Sequence, residues 1–319
     1  METTELRPSS LGELLDRTFR LYRNHFWLFA GIMAIPSAFS IPFTVIFLST
    51  RNDAPFGARS AGFPSGAVFF LVAFWFFFAA VYSIAIGATT YAVSDCYLNQ
   101  KANVRESYRK VRGKVWKIIG VVLVAWLRAV GMLVLGGAAI AIAPWIIIGA
   151  LAATSRGRMP PILAVIFGIL AVLIYLVGLM FWALWSLRYA VCIPALLLEN
   201  LGVRAALRRS VQLTRGRRWQ ILIAVFLCTI IAYIGVILFQ GPFLISMMVS
   251  TRGGQVAGWL TYVYAMGGAI GGAITGPVLL IMLVLCYYDT RIRKEAFDLQ
   301  YMMSALDSPA PAPDAPSPA

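Results

Sequence analysis

The sequence predicts an all-α fold, a polytopic transmembrane helix bundle of six spans with amphipathic interfacial helices on the cytosolic side. Three observations predict it. Of 319 residues, 60% are apolar and 13% are charged, too few charged groups to cover the surface of a water-soluble globule. Six long stretches carry almost no charge, and each exceeds the roughly 20 residues that cross a ~30 Å hydrocarbon core as a helix. The basic residues alternate between many and few from one connection to the next, as expected of a chain that recrosses a bilayer.

Taken in order, the chain begins with an amphipathic basic helix. Leu11, Leu15, Phe19, Tyr22 and Phe26 recur at helical spacing, and Ser10 with Glu13 forms a capping box. A cleaved signal peptide is not expected, because the leader holds Glu2, Glu5, Glu13 and Asp16. The run behind it, Phe26 to Ser49, is 24 residues, longer than a signal core of roughly 7 to 15. Gly66 to Ser94 makes the second span. A second basic helix follows, with Val104, Tyr108, Val111 and Val115 on one face and Arg105, Arg109 and Arg112 on another.

Ile118 to Thr154 is the third apolar stretch, and its 37 residues would extend about 55 Å as a helix. It is read as one span with a kinked or protruding end. Two short spans broken near Pro144 would give seven crossings and throw the Arg204 to Arg218 cluster to the other side, against the charge rule. Pro161 to Leu187 is the fourth span. A third basic helix sets Val203, Leu207 and Val211 against Arg204, Arg208 and Arg215, and Ile221 to Ser250 and Val256 to Tyr288 complete the six. Helices are required because unpaired backbone groups in lipid cost several kcal/mol each, and these runs lack the alternation of barrel strands.

Of the 27 Lys and Arg residues, 21 fall on one side of this topology and five on the other, with Arg128 inside a span. The richer side is cytosolic and holds both termini. Residues 1–305 then form one transmembrane domain, and 306–319, ending in SPAPAPDAPSPA, form a Pro/Ala-rich tail expected to be disordered.

The three basic helices resemble one another. Each ends in a tryptophan, Trp27, Trp116 or Trp219, and each precedes two spans, which a unit of interfacial helix plus helical hairpin used three times would explain. In the functional reading they lie in the headgroup plane with apolar faces such as those of Val111 and Leu207 in lipid. Arg105, Arg109, Arg112, Arg204, Arg208 and Arg215 then meet anionic phospholipid, each contributing on the order of 1 kcal/mol. The blander reading is that such membrane proteins accumulate cytosolic arginine and interfacial tryptophan anyway.

Arg128 lies 11 residues beyond Lys117, about 16 Å into the membrane at helical rise. A mid-bilayer arginine costs roughly 2.5 to 3.5 kcal/mol on insertion scales, which makes Arg128 a candidate intramembrane functional residue. No acidic residue lies inside a span to pair with it, since Asp95, Glu199 and Asp289 sit at span ends. The alternative is a side chain that snorkels or bonds to Tyr hydroxyls and backbone carbonyls. Gly267 and Gly271, and Gly268, Gly272 and Gly276, recur every four residues and point to close helix packing. Pro36, Pro42, Pro144 and Pro242 suggest kinks.

Several classes are disfavoured. His25 is the one histidine, which excludes a histidine-rich metal centre or paired-histidine acid–base chemistry. Cys96, Cys192, Cys228 and Cys286 show no CxxC pairing and are expected to stay reduced. No cofactor is expected, and no nucleic acid, because the basic residues sit in short segments between apolar runs.

Three segments carry a resemblance: LRPSSLGELLDRTFRLYRNHF from Leu6 to Phe26, RYAVCIPALLLENLGVRAALRRSVQLTRGRRW from Arg188 to Trp219, and YYDTRIRKEAFDLQ from Tyr287 to Gln300. Over residues 6 to 302 the chain resembles the membrane domain associated with some bacterial glycerophosphoryl diester phosphodiesterases and its stand-alone relatives. The resemblance implies a helical membrane fold, with the phosphodiesterase chemistry in a separate soluble barrel domain that nothing here matches. The expectation is a nonenzymatic bacterial inner-membrane protein that anchors or scaffolds a membrane or cytosolic partner or handles lipid. The alternative is a transporter or lipid permease, and an intramembrane enzyme is the weakest reading. A continuous midplane cavity reaching Arg128 would favour transport; a closed bundle would favour the first reading.

Overall fold

A computed structural model describes residues 10–52, 65–98, 100, 102–132, 134, 161–251 and 258–295. Among these the fold is all helical. Helix α1, Leu11–Asn24, opens with the expected capping box: the Glu13 amide donates to Ser10 Oγ at 3.3 Å and the Ser10 amide to Glu13 Oε2 at 2.8 Å. It stops at His25, and α2, Phe26–Asn52, starts at the next residue. Then come α3, Ser65–Tyr97, α4, Val104–Arg112, and α5, Val115–Met132. The chain continues through α6, Pro161–Ser186, a 3-10 turn at Leu187–Tyr189, α7, Cys192–Leu198, and α8, Val203–Thr214. It closes with α9, Arg218–Thr251, and α10, Gly258–Glu295.

Among the described residues, six helices are long and apolar enough to cross a membrane: α2, α3, α5, α6, α9 and α10. They coincide with the six expected spans. Pro36, Pro42, Pro242 and Pro277 lie inside helices that continue through them. The proposed break at Pro144, the far end of the third stretch and the tail 306–319 lie outside the described residues.

Helix α10 is the centre of the bundle, with 56% of its apolar window buried against 28% or less for each other span. It packs on α9, α2, α1 and α3. Its glycines permit the closest approach. A methyl group on Gly267 would lie 2.7 Å from the Phe239 carbonyl oxygen, and one on Gly271 would lie 3.1 Å from the Val236 Cα, so only hydrogen lets α9 and α10 meet backbone to backbone. Gly276 faces open space and has no such role.

In chain order α1, α4 and α8 each lead within a few residues into a span, α2, α5 and α9, that a second span follows. The short helices also pack alike across the bundle. A methyl on Gly31 of α2 would touch Val104, the first residue of α4, at 3.4 Å, and one on Gly120 of α5 would touch Val203, the first residue of α8, at the same distance.

The expectation that the apolar faces of α4 and α8 lie in lipid is corrected. Val111 is fully buried, as are Ala206, Leu207 and Leu213, in the core shared by α3, α7, α8 and α10. The reason lies in the lengths of the spans they cover. At 38 residues α10 extends about 57 Å and at 33 residues α3 about 50 Å, both longer than a ~30 Å hydrocarbon core. Such lengths leave apolar helix surface in excess of one bilayer thickness, and α4 covers α3 while α8 covers α7 and α10.

Candidate functional site

The ends of α3 and α10, with α1, α4, α7 and α8, form a basic end whose centre is held by carboxylates at span ends. Asp95 closes α3 and accepts from Lys110 Nζ at 2.7 Å. Glu199, just past α7, takes Arg209 Nε at 2.9 Å and the Tyr287 hydroxyl at 2.9 Å. Arg209 also reaches Glu295, and Arg291 links Tyr287 at 3.3 Å to Glu295 at 3.2 Å. Burial disfavours the Arg209 cation, yet its hydrogen bonds to Glu295 and Glu199 outweigh that and hold its pKa above the usual arginine value. Asp289 pairs with Arg217 and with Arg293.

Hydrogen bonds outside the carboxylate pairs tie these helices to one another and to α2. Tyr108 donates to the Ile32 carbonyl at 2.8 Å, and burial pushes its hydroxyl pKa up to about 12. Ser94 and Tyr288 share a 2.7 Å bond between α3 and α10. Lys294 Nζ donates to the carbonyls of Gln212 at 2.6 Å and Arg215 at 2.9 Å, closing the C-terminal turn of α8.

The six arginines expected to meet lipid headgroups do share this end. Arg105, Arg109 and Arg112 are exposed on one face of α4, and Arg204 and Arg208 on α8 with Arg215 just beyond it. None of the six has a carboxylate partner among the described residues. Trp27 and Trp116, both 85% exposed, and Trp219, 56% exposed, mark the starts of α2, α5 and α9. The four cysteines are free and buried.

Residues 162–254 match the membrane domain of glycerophosphoryl diester phosphodiesterase. The match supports the family assignment drawn from the sequence. It spans α6 to α9 and so contains the Arg188 to Trp219 segment; the segments at Leu6 to Phe26 and Tyr287 to Gln300 lie outside it. No curated protein and no solved structure matches the chain. With six apolar helices, the membrane-domain match makes this a multi-pass integral membrane protein.

Arg128 does not face the bundle interior. It is exposed on α5, its guanidinium 5.7 Å from the Tyr189 ring and 3.4 Å from the Tyr189 hydroxyl. Register shows which way it leans. Trp182 Nε1 donates to the Ala129 carbonyl at 2.7 Å, and Tyr189 lies seven residues further toward the basic end, about 10 Å at helical rise. Arg128 therefore extends along α5 toward that end, as a snorkelling side chain does. An open apolar groove on α6, lined by Leu173, Ile174, Val177, Gly178 and Phe181, does not include it.

Sequence reasoning noted that Asp95, Glu199 and Asp289 end the spans but assigned them no part in the site. The available signal was their scarcity: a carboxylate at a span end beside many cations has partners at hand. It also passed over Arg188 and Arg218, the first cations outside α6 and at the start of α9. Arg188 stacks on Trp185 with its guanidinium carbon 3.7 Å from the ring centroid.

Proposed function

We propose that this chain is a nonenzymatic component of a bacterial inner membrane, with both termini in the cytosol, that uses its basic end to associate with anionic phospholipid and to anchor a partner there. One observation carries the reading: six arginines, Arg105, Arg109, Arg112, Arg204, Arg208 and Arg215, are exposed at one end of the bundle with no carboxylate partner among the described residues. Cations near an anionic leaflet contribute about 1 kcal/mol each. The ion-paired core beneath keeps α8 in place, so the backbone that carries Arg204 and Arg208 is fixed before binding. The exposed tryptophans at the starts of α2, α5 and α9 suit the headgroup layer, to which aromatic belts are drawn. The family description names a membrane domain, which fits association with the bilayer rather than hydrolysis.

The test is lipid selectivity around the reconstituted full chain. In nanodiscs of phosphatidylcholine with a minority of phosphatidylglycerol, spin-labelled phosphatidylglycerol should be motionally restricted in excess of spin-labelled phosphatidylcholine. The excess should shrink at high salt and on replacing Arg105, Arg109, Arg112, Arg204 and Arg208 together with Gln. Equal restriction of the two lipids in the wild type contradicts the reading.

A further inference from the structure

We propose that Arg188, Arg215 and Arg218 form a binding site for a phosphate oxyanion, supplied by the phosphodiester of an anionic phospholipid headgroup. The inference rests on the reading of the basic end as facing the anionic leaflet and adds a defined site to it. The first observation is a concentration of unused donors. Trp185 Nε1, Ser186 Oγ, Arg188 Nε and Arg218 Nε are buried and lack a hydrogen-bond partner; they are four of the five such side-chain atoms among the described residues. Each can donate. A buried donor left unpaired costs about 1 to 3 kcal/mol, so this grouping calls for an acceptor from outside the chain.

Charge at the same place points to an anion. The 3-10 turn that carries Arg188 packs against both α8, which leads into Arg215, and α9, which Arg218 opens, so the cations that bear on Arg218 are Arg188 and Arg215. Elsewhere at this end Lys110, Arg209, Arg217, Arg291 and Arg293 all have carboxylates. Three guanidiniums that repel one another stay together at no electrostatic penalty only when an anion sits among them.

The cluster is also held in shape. Arg188 stacks on Trp185, and its carbonyl accepts from Ser210 Oγ at 2.7 Å. Lys294 fixes the Arg215 carbonyl. Gly216 turns the chain with φ +89, which glycine adopts freely, so three residues suffice to bring α8 into α9. The N-terminus of α9 adds its partial positive charge. Donors on separate elements suit a tetrahedral oxyanion, and guanidinium forks suit phosphate oxygens. Arg188 follows α6 and Arg218 opens α9 beside exposed Trp219, two span ends that put the cluster at headgroup depth.

Native mass spectrometry of the full chain released from phosphatidylcholine–phosphatidylglycerol nanodiscs tests the site. The wild type should keep one phosphatidylglycerol under activation that strips phosphatidylcholine. Arg188→Gln and Arg218→Gln should each lower the retained fraction about 10-fold, the effect of one charge-assisted hydrogen bond. Trp185→Phe, which keeps the stack and removes the N–H, should lower it several-fold even if an arginine variant fails to fold. A second arm adds inorganic phosphate to delipidated protein against chloride at equal ionic strength. A rise in Tm with phosphate that Trp185→Phe reduces, without lipid retention, supports the oxyanion site and gives it to soluble phosphate. Retention equal in wild type and Trp185→Phe, with no phosphate effect, overturns the proposal. Such a failure leaves the spin-label excess intact, whereas failure of the general reading abolishes that excess.

Discussion

Glu199 accepts from Arg209 and from Tyr287 and lies 3.7 Å from Arg291, with its side chain 16% exposed. Glu199→Gln removes one of the two carboxylates, Glu199 and Glu295, that neutralise Arg209 and Arg291. A fully buried pair broken this way costs ~3–5 kcal/mol, and partial exposure here reduces that to about 1–3 kcal/mol. Asp16 pairs with Arg20 on an exposed face of α1, where Asp16→Asn should cost at most about 1 kcal/mol. Thermal unfolding of both variants in one detergent checks the ordering; equal effects would mean that the Glu199 web does not hold the end together. Arg128 carries the opposite expectation. Its contact with the Tyr189 hydroxyl is long and exposed, so Arg128→Leu should fold and keep its Tm, and a collapse in folding yield would show that the arginine is structural after all.

At the scale of elements, the α9–α10 contact depends on two hydrogens. Gly267→Ala drives a methyl into the Phe239 carbonyl and should destabilise by about 1–3 kcal/mol, while Gly276→Ala meets nothing and should be nearly neutral. Unfolding in nanodiscs compares the two, and equal values would remove the close packing from the account. The four-residue glycine spacing made this contact legible in the sequence, but not which glycines use it, because the partner face belongs to α9. Two span starts were legible from hydropathy, α2 at Phe26 and α6 at Pro161, whereas α9 starts at Arg218, ahead of the expected Ile221, and α10 runs past the expected Tyr288 to Glu295. What α4 and α8 cover was not. Period puts Val111 on the apolar face of α4 and Leu207 on that of α8, yet lipid and protein satisfy such faces equally, and it is the tertiary packing on α3, α7 and α10 that decides for protein.

For the molecule as a whole, six spans gather the basic helices at one end, and the lipid reading depends on that arrangement. The arginine rows could be read from spacing and the charge rule. The Arg188–Arg218 cluster could not, because its members are 30 residues apart in sequence and meet only through the fold of α6, α8 and α9. Labelling with a membrane-impermeant maleimide tests the arrangement most directly, and the buried native cysteines keep background low. Single cysteines replacing Arg109 on α4 and Arg208 on α8 should both react from one side of sealed vesicles, and one replacing Thr251 at the far end of α9 from the other. Labelling of Arg109→Cys and Arg208→Cys from opposite sides would contradict the topology and every role assigned to the basic end.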